Sequence, residues 1–164
     1  MVQITIEYMI LIPVLILQLF LFPFVVSTVM NTWADSRRTL ELQEIAGHLG
    51  SSMQQVYFSL NHTSIQATSP LTSKLEIPPF IEGYAYKGNA TLRTVQDPDL
   101  VSTQVLDITL KYVGLGLSVA TSVTLGQNVE WKNSTFMSNS TQACITAVKY
   151  PNETIQLYFG IAEG

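Results

Sequence analysis

From residue 8 to residue 30 this chain carries no charged side chain, and Glu7 stands at the front edge of that run. A run of about 23 residues is long enough to cross a hydrocarbon layer of roughly 30 Å as a helix. Leu, Ile, Phe and Val fall on every face, so the segment needs lipid or other helices on all sides. A carboxylate at its edge is costly without a partner, which makes Glu7 a candidate functional residue. Pro13 and Pro23 each remove a backbone hydrogen bond. Membrane helices tolerate such losses where neighbours or local adjustment satisfy the freed carbonyls. The run is too long for an ordinary secretory h-region and is not followed by a small-residue cleavage site.

The pattern changes after Asn31. Leu42, Ile45, Leu49, Met53, Val56 and Leu60 follow steps of 3, 4, 4, 3 and 4, one stripe of an amphipathic helix, with Asp35, Arg37, Arg38, Glu41, Glu44 and Gln54 on other faces. Gly47 and Gly50 weaken this half but permit close approach of a neighbouring element. The spacing predicts one nearly continuous helix over residues 4–60, roughly 85 Å long at 1.5 Å per residue. Its first half belongs in lipid or a filament core, and its second half carries a head.

The rest of the chain reads as β structure. A polar, Ser/Thr-rich stretch within residues 61–75 connects helix to head, leaving residues 76–164 as a β-rich globular domain. Asp107, Thr109 and Lys111 alternate with Ile108, Leu110 and Tyr112, and Val119, Thr121, Val123 and Leu125 share one face. Further strands are expected over 80–87, 91–96, 128–131, 143–150 and 154–160, with Pro151-Asn152-Glu153 turning a terminal hairpin. Several short strands at close spacing point to an antiparallel sandwich or small barrel. The expected fold class is therefore α+β: a long N-terminal hydrophobic helix followed by an antiparallel β-sandwich-like head. About 90 residues bury only a modest core, which packing against the amphipathic half of the helix enlarges.

Five of the seven asparagines stand in N-x-Ser/Thr: Asn61, Asn89, Asn133, Asn139 and Asn152. Chance predicts about one or two. All lie after the apolar run, in stretches that read as turns, and glycans require surface positions outside the cytoplasm. Arg37 and Arg38 flank the apolar run on its C-terminal side, where the positive-inside rule places the cytoplasm. A short basic leader, removed or lying upstream of Met1, resolves that conflict.

Chemistry is sparse. The net charge is −4, from 8 basic and 12 acidic side chains, and only Arg37 and Arg38 are adjacent bases. No basic stripe for nucleic acid forms. Cys144 is the single cysteine, so no intrachain disulfide is possible, and it reads as a small buried hydrophobe on a strand. His48 and His62 do not combine with it at metal-ligand spacing. Gly114-Leu115-Gly116 lacks the third glycine of a dinucleotide site and reads as a bulge or sheet corner. Asp97-Pro98-Asp99 reads as a turn. Neither a catalytic set, a metal site nor a cofactor is expected, and the chain does not read as an enzyme. The aromatics Tyr84, Tyr86, Trp131, Tyr150 and Tyr158 divide between core and surface in a way the sequence does not choose. Trp33 suits the boundary of the apolar span.

The residues Gln3-Ile4-Thr5-Ile6-Glu7-Tyr8-Met9-Ile10-Leu11 resemble the class III signal of archaeal type IV pilin-like proteins, Gln-x-Ser-x-Glu-x-x-x-Leu, with Thr5 at the serine position. The resemblance covers the N-terminal helix, about the first third of the chain. It implies cleavage by prepilin peptidase between Val2 and Gln3, which makes Gln3 the mature N-terminus and Glu7 its fifth residue. It also implies that Glu7 pairs with the N-terminal amine of a neighbouring subunit, so that two charges enter an apolar core together. Leu11, Pro13 and Pro23 would then lie in the assembly helix. The implied protein is a homopolymer of identical subunits, built from a membrane-inserted precursor by pilus assembly machinery, with apolar helices inside and glycosylated heads outside. The prolines and leucine-rich texture differ from the glycine- and alanine-rich helices of archaellins and favour an adhesive pilus. The alternative is a single-span membrane protein with an extracellular binding or S-layer-anchoring module.

Overall fold

The computed structural model describes residues 2–62, 70–95, 103–141 and 143–160, with side chains from residue 8 onward. One helix, α1 (Val2–Asn61), is followed by eight strands: β1 (Leu71–Lys74), β2 (Tyr86–Val95), β3 (Thr103–Tyr112), β4 (Ser118–Leu125), β5 (Val129–Trp131), β6 (Thr135–Met137), β7 (Cys144–Lys149) and β8 (Ile155–Phe159). The layout is α+β, as expected. The helix runs continuously through Pro13 and Pro23. The chain divides into two compact units, residues 1–37 and 38–164. The second unit thus holds the amphipathic part of the helix together with all the strands.

Within that second unit the strands form two four-stranded sheets, ordered β1-β7-β8-β5 and β4-β3-β2-β6. Every pair is antiparallel except β5 with β8. The β2–β3 ladder runs from Tyr86↔Tyr112 to Val95↔Thr103. The expected alternation holds on β3, where Leu106, Ile108, Leu110 and Tyr112 are buried and the residues between them are not. On β4 the Val119, Thr121, Val123 and Leu125 face is the inward one. Period-two burial is what a sheet with one covered face requires.

All six residues of the helical stripe, from Leu42 to Leu60, are buried, joined by Ala46 and Tyr57. Gly50 allows this half of the helix to lie close to β4, since a Cβ there would stand 2.6 Å from the Val123 side chain. Gly47 has open space at the same test, so only one of the two glycines serves close approach. The Gln54 Nε2 donates to the Thr124 carbonyl at 3.3 Å, and the Tyr57 hydroxyl donates to Asn128 Oδ1 at 2.8 Å. Asn128 Nδ2 in turn donates to Asn61 Oδ1 and to the Glu153 carbonyl, tying the helix end to the terminal hairpin.

Several expectations are corrected. The stretch read as a connection, residues 61–75, includes strand β1, which pairs with β7 from Leu71↔Ala147 to Lys74↔Cys144; residues 63–69 lie outside the described residues. The strand expected over 80–87 is instead a tight Ile81↔Tyr84 bridge, turned by Glu82 and Gly83 at positive φ, followed by β2. β2 absorbs the strand expected over 91–96 as far as Val95, and Asp97-Pro98-Asp99 lies outside the described residues. The Gly114-Leu115-Gly116 segment, read as a bulge or sheet corner, is the loop of the β3–β4 hairpin. The Tyr112 N–H closes it on the Leu117 carbonyl at 3.1 Å, and Gly114 supplies a φ of 86°. The terminal hairpin turns at Pro151-Asn152-Glu153 as read, with the Tyr150 N–H donating to the Thr154 carbonyl at 2.8 Å.

Candidate functional site

The first unit is defined by exposure. Leu, Ile, Val and Phe side chains from residue 8 to residue 30 are open on every face of the helix; Phe20, Phe22 and Phe24 are 73%, 73% and 72% exposed, whereas Leu42 and Leu49 in the second unit are at 0%. Leu11 is exposed, and Pro13 and Pro23 sit inside the helix. The helix is long and apolar enough to cross a membrane, and that suggests membrane insertion. Helical backbone includes Val2, Gln3 and Glu7, whose side chains lie outside those described. Trp33, at the end of the apolar run, is 63% exposed.

The five sequon asparagines all have exposed side chains. Asn133, Asn139 and Asn152 are in loops or turns, as read. Asn152 is preorganised by its own turn, its Oδ1 accepting the Thr154 N–H at 3.2 Å. Two positions depart from the turn reading. Asn61 ends the helix, and its Oδ1 is engaged by Asn128. Asn89 lies in mid-strand on β2, between Thr109 of β3 and Thr135 of β6. Gly88 beside it suggests a turn in sequence. It serves instead to admit Phe136, whose ring occupies the space of a side chain there, while Leu110 would stand 2.8 Å from a Cβ. Asn89 and Thr91 both point outward from this strand.

Cys144 is buried on β7, and burial pushes its thiol up, against the opposing influence of Thr146 and the Gly160 backbone. That disfavours the reactive thiolate. His48 and His62 are exposed. Among the described residues no group of three or more His, Cys, Asp or Glu is placed to hold a metal ion. Arg38 bonds Glu82 at 2.7 Å and lies over the Tyr84 ring at 5.5 Å. On the outer face of β3, Asp107 accepts from Arg93 Nε at 2.6 Å and from Ser122 at 2.5 Å. The Arg93 hydrogen bond first, then that of Ser122, holds the Asp107 carboxyl below its usual range.

The structure also sorts the aromatics. Tyr86 is fully buried, its hydroxyl donating to the Pro78 carbonyl at 2.7 Å, and burial pushes its pKa upward. Tyr112 is buried too, and burial, with Glu41 and Glu82, pushes it up to about 12. Trp131 meets Phe159 edge to face at 5.1 Å. Tyr84 and Tyr150 remain on the surface, and Lys132 lies over the half-buried Tyr158 at 5.1 Å. Sequence reading missed the cleft between the helix and the segment after β1. Glu41, Glu44 and Glu76 line it together with Ile45, Ile77 and Phe80, brought together from positions too far apart for any local pattern. It also passed over Gln18, the one amide inside the apolar run.

Compared with known proteins, the chain matches no family model, no curated protein and no solved structure.

Proposed function

We propose that this chain is the structural subunit of an archaeal type IV-like adhesive pilus. The observation that carries this reading is the division of one helix: residues 8–30 expose apolar side chains all round, while the following residues fill the core of a β-rich unit. A helix greasy on every face has no stable place in water. It sits in lipid before assembly and against copies of itself afterwards. The Gln3-to-Leu11 resemblance supplies the assembly chemistry. Prepilin peptidase frees the Gln3 amine, and that amine pairs with Glu7 of a neighbour. The exposure of Asn61, Asn89, Asn133, Asn139 and Asn152 supports glycosylated heads on the outer wall.

Electron microscopy of surface filaments, with peptide identification, tests this reading. Filaments containing the chain with Gln3 at its N-terminus are expected. An unprocessed chain found only as a membrane-embedded monomer would favour the single-span alternative. Glu7→Ala is expected to insert into the membrane normally but to abolish filaments, because a buried amine left alone costs several kcal/mol. Wild-type filament yield from that variant would remove the pairing role.

A further inference from the structure

Three hydroxyls at and beyond the end of the apolar run satisfy themselves. Thr28 donates to the Phe24 carbonyl at 2.9 Å, and Thr32 and Ser36 repeat the contact on the carbonyls of Thr28 and Thr32 at 2.9 and 2.8 Å. Gln18 does not. Its amide is exposed and makes no hydrogen bond to any described residue. It lines a groove on the helix surface with Leu15, Leu19, Leu21, Phe22 and Val25. Leu15, Gln18, Phe22 and Val25 follow steps of 3, 4 and 3, the spacing of a seam between packed helices.

Pro23 bears on the same turn. It has no N–H, so the carbonyl of Leu19, four residues earlier, loses its intrahelical donor. An unpaired amide and a deprived carbonyl therefore stand on adjacent residues. They do not meet within one helix, because side chains lean toward the helix N-terminus while carbonyls point toward its C-terminus. Lipid tails offer neither donor nor acceptor, and leaving such groups unmet in hydrocarbon is costly.

We propose that Gln18 is a hydrogen-bonding contact to a second copy of this chain. Its amide donates to the Leu19 carbonyl of a parallel neighbour offset by about one helical turn. A copy is the occupant that fits: it carries the complementary pair at nearly the same depth, within an apolar seam of matching spacing. The inference rests on the filament-core reading above and agrees with it in register. An offset of about four residues, roughly 6 Å along the axis, places the Gln3 amine of one copy beside Glu7 of the next. The same offset sets Gln18 level with residue 22 of that neighbour, one turn above the open Leu19 carbonyl.

The test is energy transfer between donor- and acceptor-labelled full-length chains in phosphatidylcholine vesicles. Wild-type chains are expected to associate, and Gln18→Leu to weaken association by about three- to thirty-fold. Pro23→Ala, which returns a donor to the Leu19 carbonyl, is expected to weaken it comparably. The double variant is then no weaker than either single one. Thermal melting of the head is unchanged in all three, since neither residue belongs to its core. Wild-type association of Gln18→Leu, or simple additivity of the two substitutions, would overturn the Gln18 contact while leaving the filament core standing. A wild-type chain that stays monomeric in vesicles would also overturn the Gln18 contact, whereas failure of the filament core itself would read as an absence of surface filaments containing the chain.

Discussion

The two halves of α1 are both rich in apolar residues, yet they do opposite things with them. Before residue 31 the apolar side chains cover every face and remain open; after residue 38 most of them gather on one stripe, Leu40 and Phe58 apart, and that stripe is buried. Hydrophobicity alone does not distinguish these cases. What does is the placement of charge: Glu41 and Glu44 keep the second half one-sided, whereas residues 8–30 carry no charged side chain. A one-sided stripe is completed within the chain, and an all-round surface is completed only by other molecules.

The comparison breaks most visibly if the halves are separated. A chain beginning at residue 38 retains every buried core residue, from Leu42 to Phe159. It is expected to be a soluble, folded monomer by sedimentation and circular dichroism. Aggregation of that fragment would show that the second half needs the first. Next in size is a cavity in the stripe. Leu49→Ala is expected to cost about 2–5 kcal/mol in urea denaturation of the detergent-solubilised chain. Leu19→Ala, at a residue 67% exposed, should leave the same transition unmoved. Equal effects from both would erase the distinction between closed and open faces.

The smallest effect belongs to the Arg93–Asp107–Ser122 group on the outer face of β3. Because the folded-state carboxyl of Asp107 titrates below its unfolded value of about 3.9, its stabilisation is full above that value. It is lost as pH falls through the lower folded one. Asp107→Asn is expected to lower the melting temperature slightly at neutral pH, far less than Leu49→Ala, because the pair is solvent-screened. The difference from wild type should fade in acid. A gap that widens on acidification would contradict the assignment.

Much of this was legible in sequence because it is periodic. The six-residue stripe from Leu42 to Leu60 and the alternation on β3 and β4 follow from helix and strand geometry alone. The misses are places where a distant partner decides. β1 is four residues, three of them exposed, and becomes a strand only through pairing with β7. β6 is similarly short and exists beside β2 because Phe136 fills the space above Gly88. That packing also explains why Gly88-Asn89 is mid-strand rather than a turn. The parallel β5–β8 pairing and the acidic cleft at Glu41, Glu44 and Glu76 join segments that no local pattern connects. At the proposed assembly site the Gln3-to-Leu11 motif was readable, whereas Gln18 gained meaning only once its lack of a partner among the described residues and its place beside Leu19 were visible.

The central claim is that the open apolar half of α1 is a surface for other copies of the chain. A photo-activated cross-linker placed at Phe20, a residue 73% exposed, tests it most directly in native membranes and filaments. The account predicts a ladder of chains joined to one another through position 20. Adducts to lipid alone, with the chain remaining a single copy, would contradict it.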